Sequence, residues 1–303
     1  MKNIIFFLGK GGTGKTTSSV GFAYYLADQS RSVYLASIDP AHNIGDIISN
    51  NNLKGSTNIY KELYAEEIDT EFYLKKFIST TTKRMKETYR YLQIINLDSM
   101  LDIMKYSPGM EEYAIMYALK DKIESNLDKD YIIIDTPPTG LMLKIFALPI
   151  TSKMWIDKLI KWRKKIIQTR GAIKNINPKT IDDELATTEK DDKILKELGL
   201  QSQTVEFLVG LLRDKNKTKT VIITNEDSLS LSESRRIAEG LNYLSIPLNL
   251  IVLNKKGLMN KPEKLENYFD NIDITEVPFI ENATDIKNIK KLCQAWAKKV
   301  LNE

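Results

Sequence analysis

The segment Gly9-Lys10-Gly11-Gly12-Thr13-Gly14-Lys15-Thr16-Thr17 constrains this chain more than any other stretch of it. It follows a short apolar run, Ile4 to Leu8, and opens a helical pattern, Thr16 to Ala27. Strand, glycine-rich turn and helix in that order form the setting a phosphate-binding loop needs. Glycines let the backbone wrap a polyphosphate with its N–H groups turned inward, and the helix N-terminus adds its positive dipole end. In such a loop Lys15 reaches the β- and γ-phosphates and Thr16 ligates Mg²⁺. Gly11, Gly12, Thr13, Gly14, Lys15, Thr16 and Thr17 are the candidate nucleotide contacts.

Composition narrows the remainder. The chain has 303 residues, 42% hydrophobic and 28% charged, which suits one large globular domain with room for a subdomain. Net charge is only +4, from 44 basic and 40 acidic residues, so no nucleic-acid partner is expected. One cysteine, Cys293, excludes disulfide scaffolds, Cys-based zinc sites and Cys-ligated iron–sulfur clusters within a single chain. The start lacks the pattern of a secretion signal, and no apolar run approaches 18 residues. A cytoplasmic setting is expected, with peripheral attachment at a membrane left open.

Short continuous apolar runs predict buried strands at Asn3–Leu8, Val33–Ile38, Ile59–Ile68, Tyr131–Asp135, Thr220–Thr224, Leu248–Asn254 and Ile272–Glu276. Helical patterns lie between most of them: Lys15–Gln29, Thr70–Tyr89, Glu111–Leu127, Leu231–Leu244 and Asp285–Leu301. The alternation predicts a doubly wound, mostly parallel α/β sheet. Two stretches interrupt it, about 70–127 and 151–215. The first holds Met85, Met100, Met104, Met110 and Met116; the second is highly charged. Together they are expected to form a helical subdomain beside the sheet. The methionines read either as core filler or as an adaptable surface for apolar ligands.

A nucleotide site needs carboxylates as well. The second predicted strand ends in Asp39-Pro40-Ala41-His42-Asn43, and Tyr131–Ile134 ends in Asp135-Thr136-Pro137-Pro138-Thr139-Gly140. Ligands of open α/β sheets bind at strand C-termini. An apolar strand ending in Asp suits a carboxylate on a Mg²⁺ water. Lys10 points out of an ordinary phosphate cradle. Its natural target is a phosphate bound by a second subunit, the alternative being a solvated surface charge.

These segments resemble the ArsA family, within the deviant Walker A group that also includes ParA, MinD and nitrogenase iron protein. The family includes the bacterial arsenite-pump ATPase and the eukaryotic ATPase that targets tail-anchored membrane proteins. Asp39-Pro40-Ala41-His42 matches its DPAH segment, Leu63–Asp69 resembles LxAxEIDP, Ser107–Glu112 resembles PGxxE, Asp135–Gly140 resembles DTAPTG, and Leu229–Arg236 resembles SLxET with its basic follower. The resemblance implies that Asp39 positions or deprotonates the attacking water with Asn43 nearby, and that Asp135 holds Mg²⁺ through water. It further implies that Asn254 reads adenine beside Pro278 and Phe279, that Asp227 touches nucleotide, and that Lys10 acts in trans across a homodimer.

Departures matter too. Leu141-Met142-Leu143-Lys144 replaces the family's His-Thr-Leu-Arg, and both the paired-cysteine zinc motif and the metalloid-binding cysteines are absent. His42, the single histidine, is a weaker base candidate than Asp39. The C-terminal pattern carries Ile289, Leu292, Cys293, Trp296, Ala297, Val300 and Leu301 on one face, suited to packing on the sheet or, as in MinD, to lying on a membrane. The expected activity is Mg²⁺-dependent ATP hydrolysis in a nucleotide-gated homodimer that serves a hydrophobic membrane-protein client. The alternatives are an energy-coupling subunit of an anion or metalloid efflux transporter, and a MinD- or ParA-like positioning ATPase.

Overall fold

The computed structural model describes residues 3–39, 44–50, 52–88, 107–177, 186–259, 268–269, 272–280 and 285–301. Eight strands form one sheet: β1 Asn3–Leu8, β2 Val33–Ser37, β3 Thr57–Tyr60, β4 Leu63–Glu67, β5 Tyr131–Asp135, β6 Thr218–Thr224, β7 Leu250–Lys256 and β8 Ile274–Pro278. Their spatial order is β3-β4-β2-β5-β1-β6-β7-β8, and only the edge pair β3–β4 runs antiparallel. The helices are α1 Lys15–Asp28, α2 Ile44–Ile48, α3 Thr70–Thr88, α4 Met110–Ser125, α5 Thr139–Ile176, α6 Lys193–Arg213, α7 Ser228–Leu244 and α8 Ile286–Leu301.

Alternation along β1 explains why both faces of the sheet are covered. Ile4, Phe6 and Leu8 enter one core and Ile5 and Phe7 the other. On the first face Phe6 meets Phe146 of α5 edge-on at 5.1 Å between ring centres. On the second, Trp296 of α8 stacks on Phe22 of α1 at 5.3 Å. The apolar face of α8 is therefore buried against α1, which leaves the packing reading of this helix and covers the face a membrane would need.

Most strands appear within two residues of expectation. Ile59–Ile68 does not form one strand. It belongs to a hairpin that turns at Lys61, whose φ of 44° is held without glycine. Asn58 stabilises the turn, its side-chain amide donating to the Lys61 carbonyl at 2.7 Å. The helical stretch expected from about 151 begins earlier, because α5 runs from Thr139 through a buried Pro149 without ending.

Helices α3 to α6 pack beside the sheet. Phe77 stacks on Tyr113 at 5.7 Å, joining α3 to α4, and Tyr113 meets Ser152 of α5 at 3.3 Å. A groove of about 730 Å³ lies among these four helices, lined by Phe77, Tyr113, Met116, Trp155 and Leu198 among others. Met116 is also part of the buried core. Met100 and Met104, and the side chain of Met85, lie outside the described residues.

Candidate active site

The loop after β1 places its backbone where larger residues do not fit. Gly9 has φ 143°, and a Cβ there would stand 2.2 Å from the Ile223 carbonyl oxygen. Gly14, with φ 96°, caps α1, and a Cβ there would stand 2.5 Å from the Asn254 amide nitrogen. Thr13 is buried and closes the loop on itself, its hydroxyl donating to the Lys10 carbonyl at 2.8 Å. Lys15 is buried at the helix start, its ammonium reaching the same carbonyl at 3.4 Å.

Beneath the loop, strand register aligns Phe7, Asp135 and Ser37 across β1, β5 and β2. Asp135 thus ends the strand beside the central one and is fully buried. Its Oδ2 accepts from the Thr16 hydroxyl at 2.8 Å and the Ser37 hydroxyl at 3.4 Å. Ser37 Oγ in turn accepts from the Asp39 backbone N–H at 3.2 Å. Burial raises the Asp135 pKa to about 7, helped by the Asp39 charge and opposed by the Thr16 hydrogen bond and the Lys15 charge. Its other oxygen, Oδ1, has no hydrogen-bond partner among the described residues. A buried carboxylate with one orphaned oxygen, joined to a loop threonine hydroxyl, fits a hard divalent cation and its waters.

A cleft of about 530 Å³ opens above these groups. Gly11, Gly12, Gly14, Lys15, Thr16, Thr17 and Asp39 line it at the loop end, and Asn254, Pro278 and Phe279 line it at the other. Beyond Ser37, Lys255 escaped sequence reasoning: at a φ of 56° it reaches back to the Gly12 carbonyl at 3.0 Å. Asn254 adopts a use that its strand-end position did not reveal. Its amide nitrogen donates to the Thr13 carbonyl at 2.8 Å, and its Oδ1 accepts from the Lys255 N–H at 3.0 Å. Phe279 is anchored through its own N–H to the Lys256 carbonyl at 3.0 Å.

Lys10 and Asp227 stand beside the cleft and, like the buried Thr13 and Asp135, lie outside its lining. Asp227 caps α7 by accepting from the Ser230 N–H at 2.8 Å, and Lys10 lies 4.0 Å from it. Asn43 and His42 lie outside the described residues. Two residues beyond Asn43, the Gly45 N–H donates to the Glu67 carboxylate at 2.9 Å. Glu226 is buried and accepts from the Gly257 N–H at 3.0 Å, pinning the turn after β7.

The profile of a family described as anion-transporting ATPase matches residues 2–271. A protein of Aquifex aeolicus (strain VF5), provisionally named arsenical pump-driving ATPase 2, is 27% identical over 292 residues, covering 91% of this chain and 92% of that one. An ATPase ASNA1 homolog of Plasmodium falciparum (isolate 3D7) is 29% identical over 290 residues, 89% of this chain and 71% of that one. The ATPase get3 of Pyrenophora tritici-repentis (strain Pt-1C-BFP) is 24% identical over 315 residues, 97% of this chain and 91% of that one. Among the described residues no helix is long and apolar enough to cross a membrane. The chain belongs to the anion-transporting (ArsA) ATPase family and is an ATP-hydrolysing enzyme.

Proposed function

We propose that the protein hydrolyses ATP with Mg²⁺ in a nucleotide-gated homodimer and couples the bound nucleotide to a hydrophobic membrane-protein client. The observation that carries the chemistry is the chain Thr16–Asp135–Ser37–Asp39 beneath the cleft. Loop N–H groups and Lys15 hold the β- and γ-phosphates. Thr16, and Asp135 through water, would hold the cation, which when bound would supply neutralisation of phosphate charge. Asp39 orients the attacking water and accepts its proton as the oxygen adds to the γ-phosphorus; the bond to ADP breaks, leaving ADP and phosphate. Ser37 fixes the Asp39 backbone and touches Asp135 as well, so one hydroxyl links the water side to the cation side.

Lys10 acts across the dimer, leaving Asp227 to meet the phosphates of the partner subunit. The groove among α3, α4, α5 and α6 takes the client, and the names of the ASNA1 and get3 relatives are the reason for placing this protein in that branch. The name of the Aquifex relative favours a second reading, in which the enzyme drives an anion pump.

Asp39→Asn tests the chemistry. It keeps the shape, cannot take a proton, and is expected to bind ATP normally while turnover falls on the order of 10²–10⁴-fold. Turnover within twofold of the parent removes Asp39 from that role. Mixing Lys10→Ala with Asp39→Asn subunits tests the dimer: a trans arrangement restores activity in one of the two mixed sites, and a cis arrangement restores none. Co-purification with the ATP-trapped Asp39→Asn protein separates a membrane-protein client from an integral transporter.

A further inference from the structure

Helix α5 carries an apolar seam that nothing in the catalytic machinery uses. Trp155, Leu159, Trp162, Ile166, Ile173 and Ile176 repeat at spacings of three, four and seven, so they share one face over roughly 32 Å. They are 62, 39, 60, 43, 42 and 85% exposed. In a water-soluble helix this face would be the buried one; here Ile156 and Ile167 are buried on a different side.

Charge identifies the occupant. The helix holds nine basic side chains and one acidic. Arg163, Lys153 and Lys164 pair with Asp192, Glu206 and Glu189. Lys158, Lys161 and Lys165 are exposed, make no ion pair with a described residue, and form a row along one edge of the seam. A second copy of the helix fits poorly. Antiparallel pairing sets this lysine row on itself, and parallel pairing sets it against the edge that carries Arg163, Arg170 and Lys174. An apolar stripe containing two exposed tryptophans and edged by unpaired lysines matches the interfacial layer of an anionic membrane. There indole sits at headgroup depth and each lysine gains from the negative surface potential.

We infer that α5 seats this protein on an anionic phospholipid surface, with the seam entering the headgroup boundary and the lysine row against the phosphates. The seam runs beyond the client groove: Trp155 and Leu159 line that groove, whereas Trp162, Ile166 and the lysine row lie outside it, so variants at these positions test the membrane seat without altering the groove lining.

Flotation with vesicles of phosphatidylcholine and phosphatidylglycerol at three to one, against pure phosphatidylcholine, tests it. The intact protein is expected to float with the anionic vesicles alone and to be released by high salt. Its tryptophan emission is expected to shift to the blue, from Trp155 and Trp162, since Trp296 is already buried. Lys158→Gln, Lys161→Gln and Lys165→Gln together are expected to weaken vesicle binding about a hundredfold, from about fivefold per lysine at such a surface. Trp162→Gln with Ile166→Gln is expected to abolish flotation. All these side chains are exposed, so basal ATP hydrolysis should be unchanged and confirms folding. Equal flotation with neutral vesicles, or unaltered binding by the lysine variant, overturns the proposal. So does a larger oligomer in lipid-free buffer that the Trp162 and Ile166 changes dissolve, which makes a second copy the occupant. Uptake of an acidic amphipathic peptide without vesicle binding overturns it in favour of a protein partner.

Discussion

At the C-terminal edge of the sheet, the fully buried Asp135 carboxylate accepts from Thr16 and Ser37, and Lys15 and Asn254 reach loop carbonyls at 3.4 and 2.8 Å. On the helices beside that sheet, Trp155 stands 62% exposed at an open groove and Trp162 stands 60% exposed beyond it. The first region is over-determined. Glycines with positive φ, strand register and buried hydrogen bonds leave one arrangement, as phosphate and metal chemistry demands. The second is held by ring stacking and a few ion pairs and leaves apolar surface uncovered, as a surface that meets varied partners demands. A change in the first region should therefore act on chemistry and one in the second on stability or association.

The largest expected effect is in the first region. Lys15→Ala removes the charge proposed to face the β- and γ-phosphates and is expected to abolish ATP binding and turnover, read by calorimetry and phosphate release. The exposed helical surface should keep its behaviour. Undiminished hydrolysis would break the separation of roles as well as the assignment of Lys15.

The next effect lies at the one place where the helical region imitates the sheet edge. Arg163 of α5 grips Asp192 at the start of α6 through contacts of 2.6 and 3.1 Å, and the Asp192 side chain is 1% exposed. Asp192 also caps α6, accepting from the Leu195 N–H at 2.6 Å. Arg163→Ala leaves a buried carboxylate without its counter-charge and is expected to cost about 3–5 kcal/mol, seen as a lower denaturation midpoint. Adding Asp192→Asn removes the orphaned charge yet keeps a capping oxygen, and should recover much of the loss. Burial pushes the Asp192 carboxyl up, but the hydrogen bonds from Arg163 and Leu195 hold it below its ordinary value of 3.8. A depressed folded pKa gives stability that is complete above about pH 4 and lost as pH falls through the folded value. The parent should therefore lose more stability than the double variant on acidification below pH 4.

The same contrast explains what could be read from the sequence. The strands Asn3–Leu8 and Tyr131–Asp135 appear where apolar runs placed them, because a parallel strand covered on both faces has a signature that depends only on itself. The loop Gly9–Thr17 was legible because its function demands a fixed spacing of residue types. The hairpin at Lys61 was not, since a non-glycine residue at φ 44° carries no turn signal. The start of α5 was hidden by Pro149, which normally ends a helix. The seam at Trp155–Ile176 was not read from the sequence: its spacing is that of an ordinary buried face, and only the packing of α5 reveals that this side stays open.

The smallest expected effect asks how far the over-determined region extends. Asn254 was expected to read adenine, and its amide is engaged with the loop: Nδ2 donates to Thr13 and Oδ1 accepts from Lys255. An asparagine amide has two N–H groups and two lone pairs, so one donor and one acceptor remain. That pair complements an adenine edge, which offers an N6 donor beside the N7 acceptor, and mismatches guanine, whose O6 and N7 both accept. Asn254 can thus be a strut of the loop and a reader of the base at once. Asn254→Ala tests both uses in one comparison. Loss of the strut should weaken ATP and GTP equally, by about 0.5–1.5 kcal/mol for one hydrogen bond, or about two- to twelvefold. Loss of the base contacts should weaken ATP alone by a similar further factor. The expected result is that ATP affinity falls more than GTP affinity, narrowing the preference for adenine. If the two fall by the same factor, Asn254 is a strut only, and the over-determined region ends at the phosphates, with base selection left to the Pro278–Phe279 end of the cleft.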